Sequence, residues 1–509
     1  MNNTTSNLPP TPSPSSDPRP HAVVIGAGFG GLAAAVRLGA RGYRVTVLEH
    51  RDAPGGRAYV YERDGFSFDG GPTVITAPFL FEELWELAGK KLSDDVEMRP
   101  VDPFYRIRFH DGQTFDYTGD AERMKAEVAR FSPRDVEGYE RFVQMSERIF
   151  RIGFQELAHV DFSSWWDMAK IVPDMMRLQS FKTVWSLVAD HVKDDRLRQV
   201  LSFHPLLVGG NPFDTTSIYS LIAFLERQWG VHYPKGGTAS LVRGLVKLVE
   251  GQGGSFRYGA TVKRIRTEGR RATGVELENG EVFDAAVVVS NADSSETYRK
   301  LIDPESRSRW TDKKIERARH SMSLFVWYFG TDRKYEDVAH HTILLGPRYR
   351  GLLDDIFTNK VLSEDFSLYL HRPTATDTSI APPGCEAFYV LSPVPNLEGK
   401  TDWASEAEPY RKRIESFLSK TVLPGLEGHI VSQHVSTPLY FRDTLLSYRG
   451  AAFGLEPVLT QSAYFRPHNK SEELDNLFLV GAGTHPGAGV PGVLSSARVL
   501  DRLVPDARR

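Results

Sequence analysis

Cysteine is almost missing from this chain: Cys385 is the only one in 509 residues. One thiol excludes an internal disulfide framework, a cysteine-built metal cage, an iron–sulfur cluster and a dithiol relay. The pattern fits a reducing compartment, and any redox chemistry must sit on a bound cofactor. Charge of one sign is missing too. Lys and Arg total 62 against 65 Asp and Glu, a net charge of −3, so no basic field exists to collect phosphate backbones and nucleic acid is not an expected partner. No run of residues reads as a membrane span. The longest uncharged stretch, residues 476–497, holds five glycines and two prolines, where a lipid-exposed helix must satisfy every backbone group. Residues 1–20 lack the basic start and apolar stretch of a secretory signal and include six prolines, so they are expected to form a disordered tail outside the fold.

What is present is ordinary globular material, 41% hydrophobic and 25% charged, in a chain long enough for two or three units. After the tail, His21-Ala22-Val23-Val24-Ile25 reads as a buried parallel strand and runs into Gly26-Ala27-Gly28-Phe29-Gly30-Gly31. An alanine-rich helix follows over residues 32–41, stopped by Gly42, and a second strand over residues 44–48 ends in Glu49. In such a unit Gly26 permits the tight turn, Gly28 lets the backbone approach a pyrophosphate, and Gly31 lets helix and strand pack. Glu49 stands where an acid accepts the ribose hydroxyls of an adenosine and repels a 2′-phosphate. The pattern predicts dinucleotide binding. Pro54-Gly55-Gly56-Arg57 and Phe68-Asp69-Gly70-Gly71-Pro72-Thr73 then suggest backbone wrapped around a cofactor longer than an adenosine half.

Further on, residues 238–250 read as a helix, followed by short strands around 261–265 and 274–277, the turn Asn279-Gly280, and a buried strand over 285–290. A hairpin is expected about Asp111-Gly112, with Tyr105, Ile107 and Phe109 before it and Phe115 and Tyr117 after, and residues 120–228 are helical in pattern. Nucleotide-sheet character alternates with something else, which implies two interleaved units. No second strand–glycine turn–helix–acid unit occurs, so one dinucleotide site is expected. Residues 148–192 interleave apolar side chains, including Trp165 and Trp166, with Arg148, Arg151, Lys170, Arg177 and Lys182. Such stripes are usually buried helices; the alternative is an amphipathic surface lying in the plane of a bilayer.

Near the C-terminus a strand over residues 476–480 enters Gly481-Ala482-Gly483-Thr484-His485-Pro486-Gly487-Ala488-Gly489-Val490-Pro491-Gly492 and leaves into a helix from about Val493 to Leu503. With Gly26 to Gly31, Pro54-Gly55-Gly56-Arg57-Ala58-Tyr59-Val60, residues 69–76 and Leu206-Leu207-Val208-Gly209-Gly210-Asn211-Pro212, this run closely resembles the bacterial-type phytoene desaturases, flavoproteins that dehydrogenate carotenoid precursors. The resemblance covers residues 21–503. It implies an α/β fold of the amine-oxidase type. A Rossmann-like FAD-binding domain (21–95, 230–295 and 460–503) is interleaved with an α+β, membrane-facing substrate domain (96–229 and 296–459).

By the same resemblance, Gly26 to Gly31 and Glu49 hold the ADP half of a non-covalent FAD, and the backbone of Val262 meets the adenine. Gly56, Arg57, Thr73 and Gly483 accompany the rest of the cofactor, with Arg57 and Thr73 along the ribityl chain and isoalloxazine. Val490, Pro491 and Gly492 close over the pyrimidine edge, where a helix N-terminus meets the charge of a reduced flavin. Many flavoproteins place a ribityl-binding acid after these glycines; Thr484-His485 stands there instead.

The implied substrate is a C40 polyene without a polar handle, and the electron acceptor is oxygen or a membrane quinone. No catalytic base is assigned; His204 and His485 are the histidines to examine, each set against a purely structural role. His340-His341 lacks a nearby carboxylate or cysteine cluster, and no metal is expected. The expected activity is desaturation of phytoene to neurosporene or lycopene, in the cytoplasm at the membrane surface. A carotenoid isomerase, a diapocarotenoid desaturase, an amine oxidase and a non-catalytic prenyl-binding escort protein are the alternatives.

Overall fold

The computed structural model describes residues 17–507. Most of the expected tail, residues 1–16, lies outside the described residues. Residues 17–20 do not behave as a free tail: Arg19 pairs with Asp17 and donates to the Gln252 carbonyl at 3.1 Å, and the Pro20 carbonyl accepts the Arg44 amide at 3.0 Å.

A five-stranded parallel sheet has the order Leu477–Leu479, Val287–Ser290, His21–Ile25, Arg44–Leu48, Ser255–Arg257. Its Val-rich strands are covered on both faces, with Val23, Val24, Val47, Val288 and Val289 fully buried, as parallel strands require. The helix Phe29–Ala40 packs Leu32, Ala35, Val36 and Leu38 into the core. It gives way to Gly42, whose φ of 92° only glycine adopts cheaply. Helices Thr238–Gly251 and Val490–Arg498 pack against it. The strand expected over 285–290 is shorter, Val287–Ser290. Beside it lies a three-stranded antiparallel sheet, Val262–Glu268, Arg271–Leu277 and Val282–Asp284, turned at Asn279-Gly280.

A seven-stranded sheet has the order Ile430–Ser436, Ser323–Thr331, Glu386–Val394, Leu368–His371, His341–Leu344, Tyr105–Arg108, Thr114–Tyr117. It is antiparallel throughout except where His341–Leu344 runs parallel to Tyr105–Arg108. The last two strands are the expected hairpin about Asp111-Gly112. Helices between residues 121 and 229 cover one side of this sheet, and Phe142, Ile149, Leu187 and Leu201 join Tyr105, Phe115 and Val326 in one core. The chain thus enters one sheet, leaves for the other, and returns.

The buried-helix reading of residues 148–192 holds for Ile149, Phe150, Leu187 and Val188 but fails for the helix Trp165–Arg177. That helix buries only Met168, and leaves Trp165 59% and Trp166 72% exposed. Among the described residues no helix is long and apolar enough to cross a membrane.

Candidate active site

Three glycine turns from distant parts of the chain converge at the carboxyl end of the parallel sheet. Gly26, at φ 91°, donates its amide to the Leu48 carbonyl at 2.7 Å. The Gly55 amide reaches the Ala27 carbonyl at 2.9 Å, and a Cβ on Gly56 would lie 3.3 Å from Gly28 Cα. A Cβ on Gly30 would stand 3.0 Å from the Gly481 nitrogen, and one on Gly492 2.6 Å from the Gly487 oxygen. These positions are glycine because backbone passes backbone there.

Around the turns runs one continuous cavity of about 740 Å³. Gly26, Gly28, Phe29, Gly30, Glu49 and Val262 line it, as do Gly56, Arg57, Thr73, Gly483, Val490, Pro491 and Gly492; beyond them the wall becomes apolar, with Phe203, Leu207, Ile222, Met322 and Leu324. Ala27 and Gly31, expected among the cofactor contacts, stand behind the wall instead. Ala27 donates its amide to Glu49 Oε2 at 2.8 Å. A Cβ on Gly31 would sit 2.0 Å from the Gly26 oxygen, so Gly31 serves helix–strand packing. A cradle of side-chain-free backbone leading into an apolar chamber suits an elongated dinucleotide whose reactive end meets a hydrocarbon.

Glu49 is nearly buried, which alone would raise its pKa; the His50 hydrogen bond and the amides of Arg51 and Ala27 outweigh this and hold the carboxyl below its usual value. It is therefore ionised and fixed before any ribose arrives. Arg57 donates to the Ala452 carbonyl at 2.7 Å and to Ser447 at 3.1 Å. Burial draws its pKa down while Asp293 opposes the shift. Asp293 also lines the cavity; its carboxyl is raised by burial although it accepts the Ser295 and Glu296 amides and faces Arg57.

Asp293 and Asn291 were not singled out by sequence reasoning. Asn291 stands between the first glycine turn and Gly481, 3.0 Å from where a Gly28 Cβ would be. The available signal was their place directly after a buried parallel strand.

The C-terminal helix starts earlier than expected, at Val490 instead of Val493, with Pro491 in its first turn and Gly489 at φ 91° before it; it runs to Arg498, and a further turn, Leu500–Leu503, reaches the expected end. The earlier start brings its N-terminal amides onto the cavity wall, where negative charge is favoured. Thr484 is committed elsewhere, donating to the Pro467 carbonyl at 2.6 Å.

His204 is buried with Nε2 3.2 Å from Glu226 Oε2, and Glu226 Oε1 accepts the Tyr105 hydroxyl at 2.6 Å. Glu226 lines the cavity and His204 does not, so the sequence pointed to the histidine and missed the carboxylate it touches. His485 lines the cavity, donates Nε2–H to the Leu157 carbonyl at 3.2 Å and packs on Phe162. Burial lowers its pKa to about 4. Its charged form is disfavoured in the fold, so it is neutral above that value, and the pH–rate profile of a His485→Gln protein is expected to match wild type between pH 6 and 9. A missing inflection in that window would contradict this.

His340-His341 is not isolated. His371 is the cross-strand partner of His341, and one ring nitrogen from each of the three lies within 4.8 Å of the others.

Fold and site define a flavin-dependent oxidoreductase. Residues 29–499 match the flavin-containing amine oxidoreductase family. The chain is 51% identical to the lycopene-forming phytoene desaturase of Pantoea ananas over 94% of this chain and 98% of that protein. It is 50% identical to the neurosporene-forming phytoene desaturase of Cereibacter sphaeroides over 98% and 97%. Cyclohexylamine oxidase from Brevibacterium oxydans shares the fold at 16% identity, with a TM-score of 0.59 over 97% of this chain and 100% of that one. The chain belongs to the flavin-containing amine oxidoreductases, among the bacterial phytoene desaturases, and its cofactor is FAD.

Proposed function

We infer that this protein is an FAD-dependent desaturase that introduces C=C bonds into phytoene by successive dehydrogenations, giving neurosporene or lycopene. The observation that carries the reading is the continuity of the dinucleotide cleft with an apolar chamber. A C40 hydrocarbon offers nothing to hydrogen-bond, so its binding comes from buried apolar area at about 25 cal/mol per Å² and from shape. When bound, the flavin supplies the hydride acceptor. The chain's own part is to hold the adenosine with Glu49 and Val262, to set Arg57 and Thr73 along the rest, and to exclude water with residues such as Leu207 and Leu324. Residues 21–95, 230–295 and 460–503 form the FAD-binding part in this reading.

The chamber reaches the segment that carries the exposed tryptophans: Phe154, Leu157, Phe162 and Ile171 line it. A substrate dissolved in lipid would enter there. The protein then works at the cytoplasmic membrane surface, and oxygen or a quinone reoxidises the cofactor, since one cysteine cannot relay electrons.

Anaerobic protein mixed with phytoene in liposomes is expected to lose its flavin colour and yield products with new conjugated double bonds, without added NAD. Colour returns when a quinone or oxygen is supplied. Geometric isomers without net flavin reduction would make it an isomerase, and a colourless protein holding prenyl chains would sink both readings.

A further inference from the structure

Dehydrogenation removes one hydrogen as hydride and its neighbour as a proton. The hydride goes to the acceptor; the proton has to leave a chamber whose walls are mostly hydrocarbon. A polar track leads away from it at Tyr369 and Thr73. Tyr369 and Thr73 line the cavity, with Thr73 Oγ1 3.1 Å from the Tyr369 hydroxyl and 2.5 Å from that of Tyr389. Behind the wall the Tyr369 hydroxyl lies 2.6 Å from His341 Nδ1, and a relay leading outward needs the tyrosine to be the donor. With that donor, His341 Nδ1 accepts and its own proton sits on Nε2. His371 Nδ1 meets the same atom at 3.3 Å, and His340 Nδ1 lies 2.6 Å from the Thr376 hydroxyl. Thr376 is partly exposed.

The three Nε2 atoms are buried and have no hydrogen-bond partner, although their rings crowd together with centroids 4.4–5.2 Å apart. Buried polar atoms are normally satisfied, and three orphans in one cluster are costly unless the cluster acts. We propose that Tyr369, His341, His371 and His340 form a proton-exit relay from the substrate chamber to Thr376, and that Tyr369 is its entry. The inference rests on the desaturase reading.

The step balances simply. As the C–H bond of the neighbouring carbon breaks and its electron pair becomes the new double bond, the proton moves to the Tyr369 oxygen. The phenolic proton passes to His341 Nδ1, and His341 releases its Nε2 proton to a neighbouring imidazole. Because the Nε2 atoms have no partner as they stand, ring rotations of His371 or His340 have to close the remaining gap, and His340 passes a proton through the partly exposed Thr376 hydroxyl to solvent.

Nothing along the track retains the proton. Burial pushes His340 down to about 3, with Arg372 adding to the shift, and drives His341 and His371 well below the usual imidazole range, with their neighbours' charges adding. Burial also raises the Tyr369 phenol. The groups facing the cluster reinforce this: Arg372 is paired with Glu386 at 2.9 Å, Tyr105 gives its hydroxyl to Glu226, and Tyr233 and Tyr389 present rings. One ring nitrogen of each histidine is close enough to the others for a metal ion, so metal content is part of the test.

Tyr369→Phe keeps the ring and removes the relay hydroxyl. Flavin reduction by phytoene is expected to slow about 10²-fold, with flavin content and KM unchanged, and the solvent deuterium isotope effect of the wild type should vanish. Thr376→Val, at the partly exposed end, should slow the step without touching the core. Nitrogen-15 spectra of histidine-labelled holoprotein should show His341 protonated on Nε2, and Tyr369→Phe should shift that resonance. Wild-type reduction rates in both variants, or stoichiometric metal in the purified holoprotein, would overturn the relay. Failure of the wild type itself to desaturate phytoene would instead overturn the reading beneath it.

Discussion

A Gly28→Val protein is expected to purify folded and colourless. The Gly28 backbone has φ −76°, which a side chain tolerates, and a Cβ there would meet only Asn291 Nδ2 at 3.0 Å and the Gly55 oxygen at 3.9 Å. The added methyls therefore project into the cavity that Gly28 lines, where the pyrophosphate has to approach the backbone. Gly31→Val tests the contrast. Its Cβ would stand 2.0 Å from the Gly26 oxygen, and backbone cannot give way as a side chain can, so this variant should lose at least about 1–3 kcal/mol of stability. Flavin absorbance per protein and thermal unfolding separate the two outcomes. Stoichiometric, acid-releasable flavin in Gly28→Val would show that the cradle has been misassigned.

Replacing both Trp165 and Trp166 by Glu should release the protein from liposomes while leaving flavin content and unfolding temperature alone. Both rings are mostly exposed, and Val172, Met176 and Phe181 are exposed in the same segment, with Lys170 and Arg177 on the helix. An apolar patch of this kind, on a helix whose Ile171 lines the chamber, suits a lipid surface. Each ring inserted into the interface contributes about 1.5–3 kcal/mol, so losing two should weaken partitioning by about 10²-fold or more. Cosedimentation that does not change would mean that the face meets something other than lipid.

The glycine turns were legible because close backbone approach leaves no other residue, and because the first and last directly follow short apolar strands. The helix start at Val490 is signalled by Pro491, which belongs in a first turn, and the expected start at Val493 lies three residues late. Periodicity showed that residues 148–192 are amphipathic, but whether the apolar face of Trp165–Arg177 is covered depends on neighbours that only the fold supplies. Glu226 and His371 were missed for one physical reason: each acquires its meaning from a partner 22 or 30 residues away, brought near by a helix packing or a cross-strand register that no local pattern announces. Asn291 joins turns separated by more of the chain still.

The parallel sheet places His21–Ile25 between Arg44–Leu48 and Val287–Ser290, and Val287–Ser290 against Leu477–Leu479. During synthesis the first glycine turn leaves the ribosome early, but the strand and helix that complete its cradle emerge only after residue 476. Until then the nascent chain presents an adenosine-binding half-site and an unpaired sheet edge, a state exposed to aggregation and slow to resolve because its missing contacts are distant in sequence. Cofactor capture therefore belongs to the end of translation, and flavin supply in the cell should govern how much of the newly made protein survives.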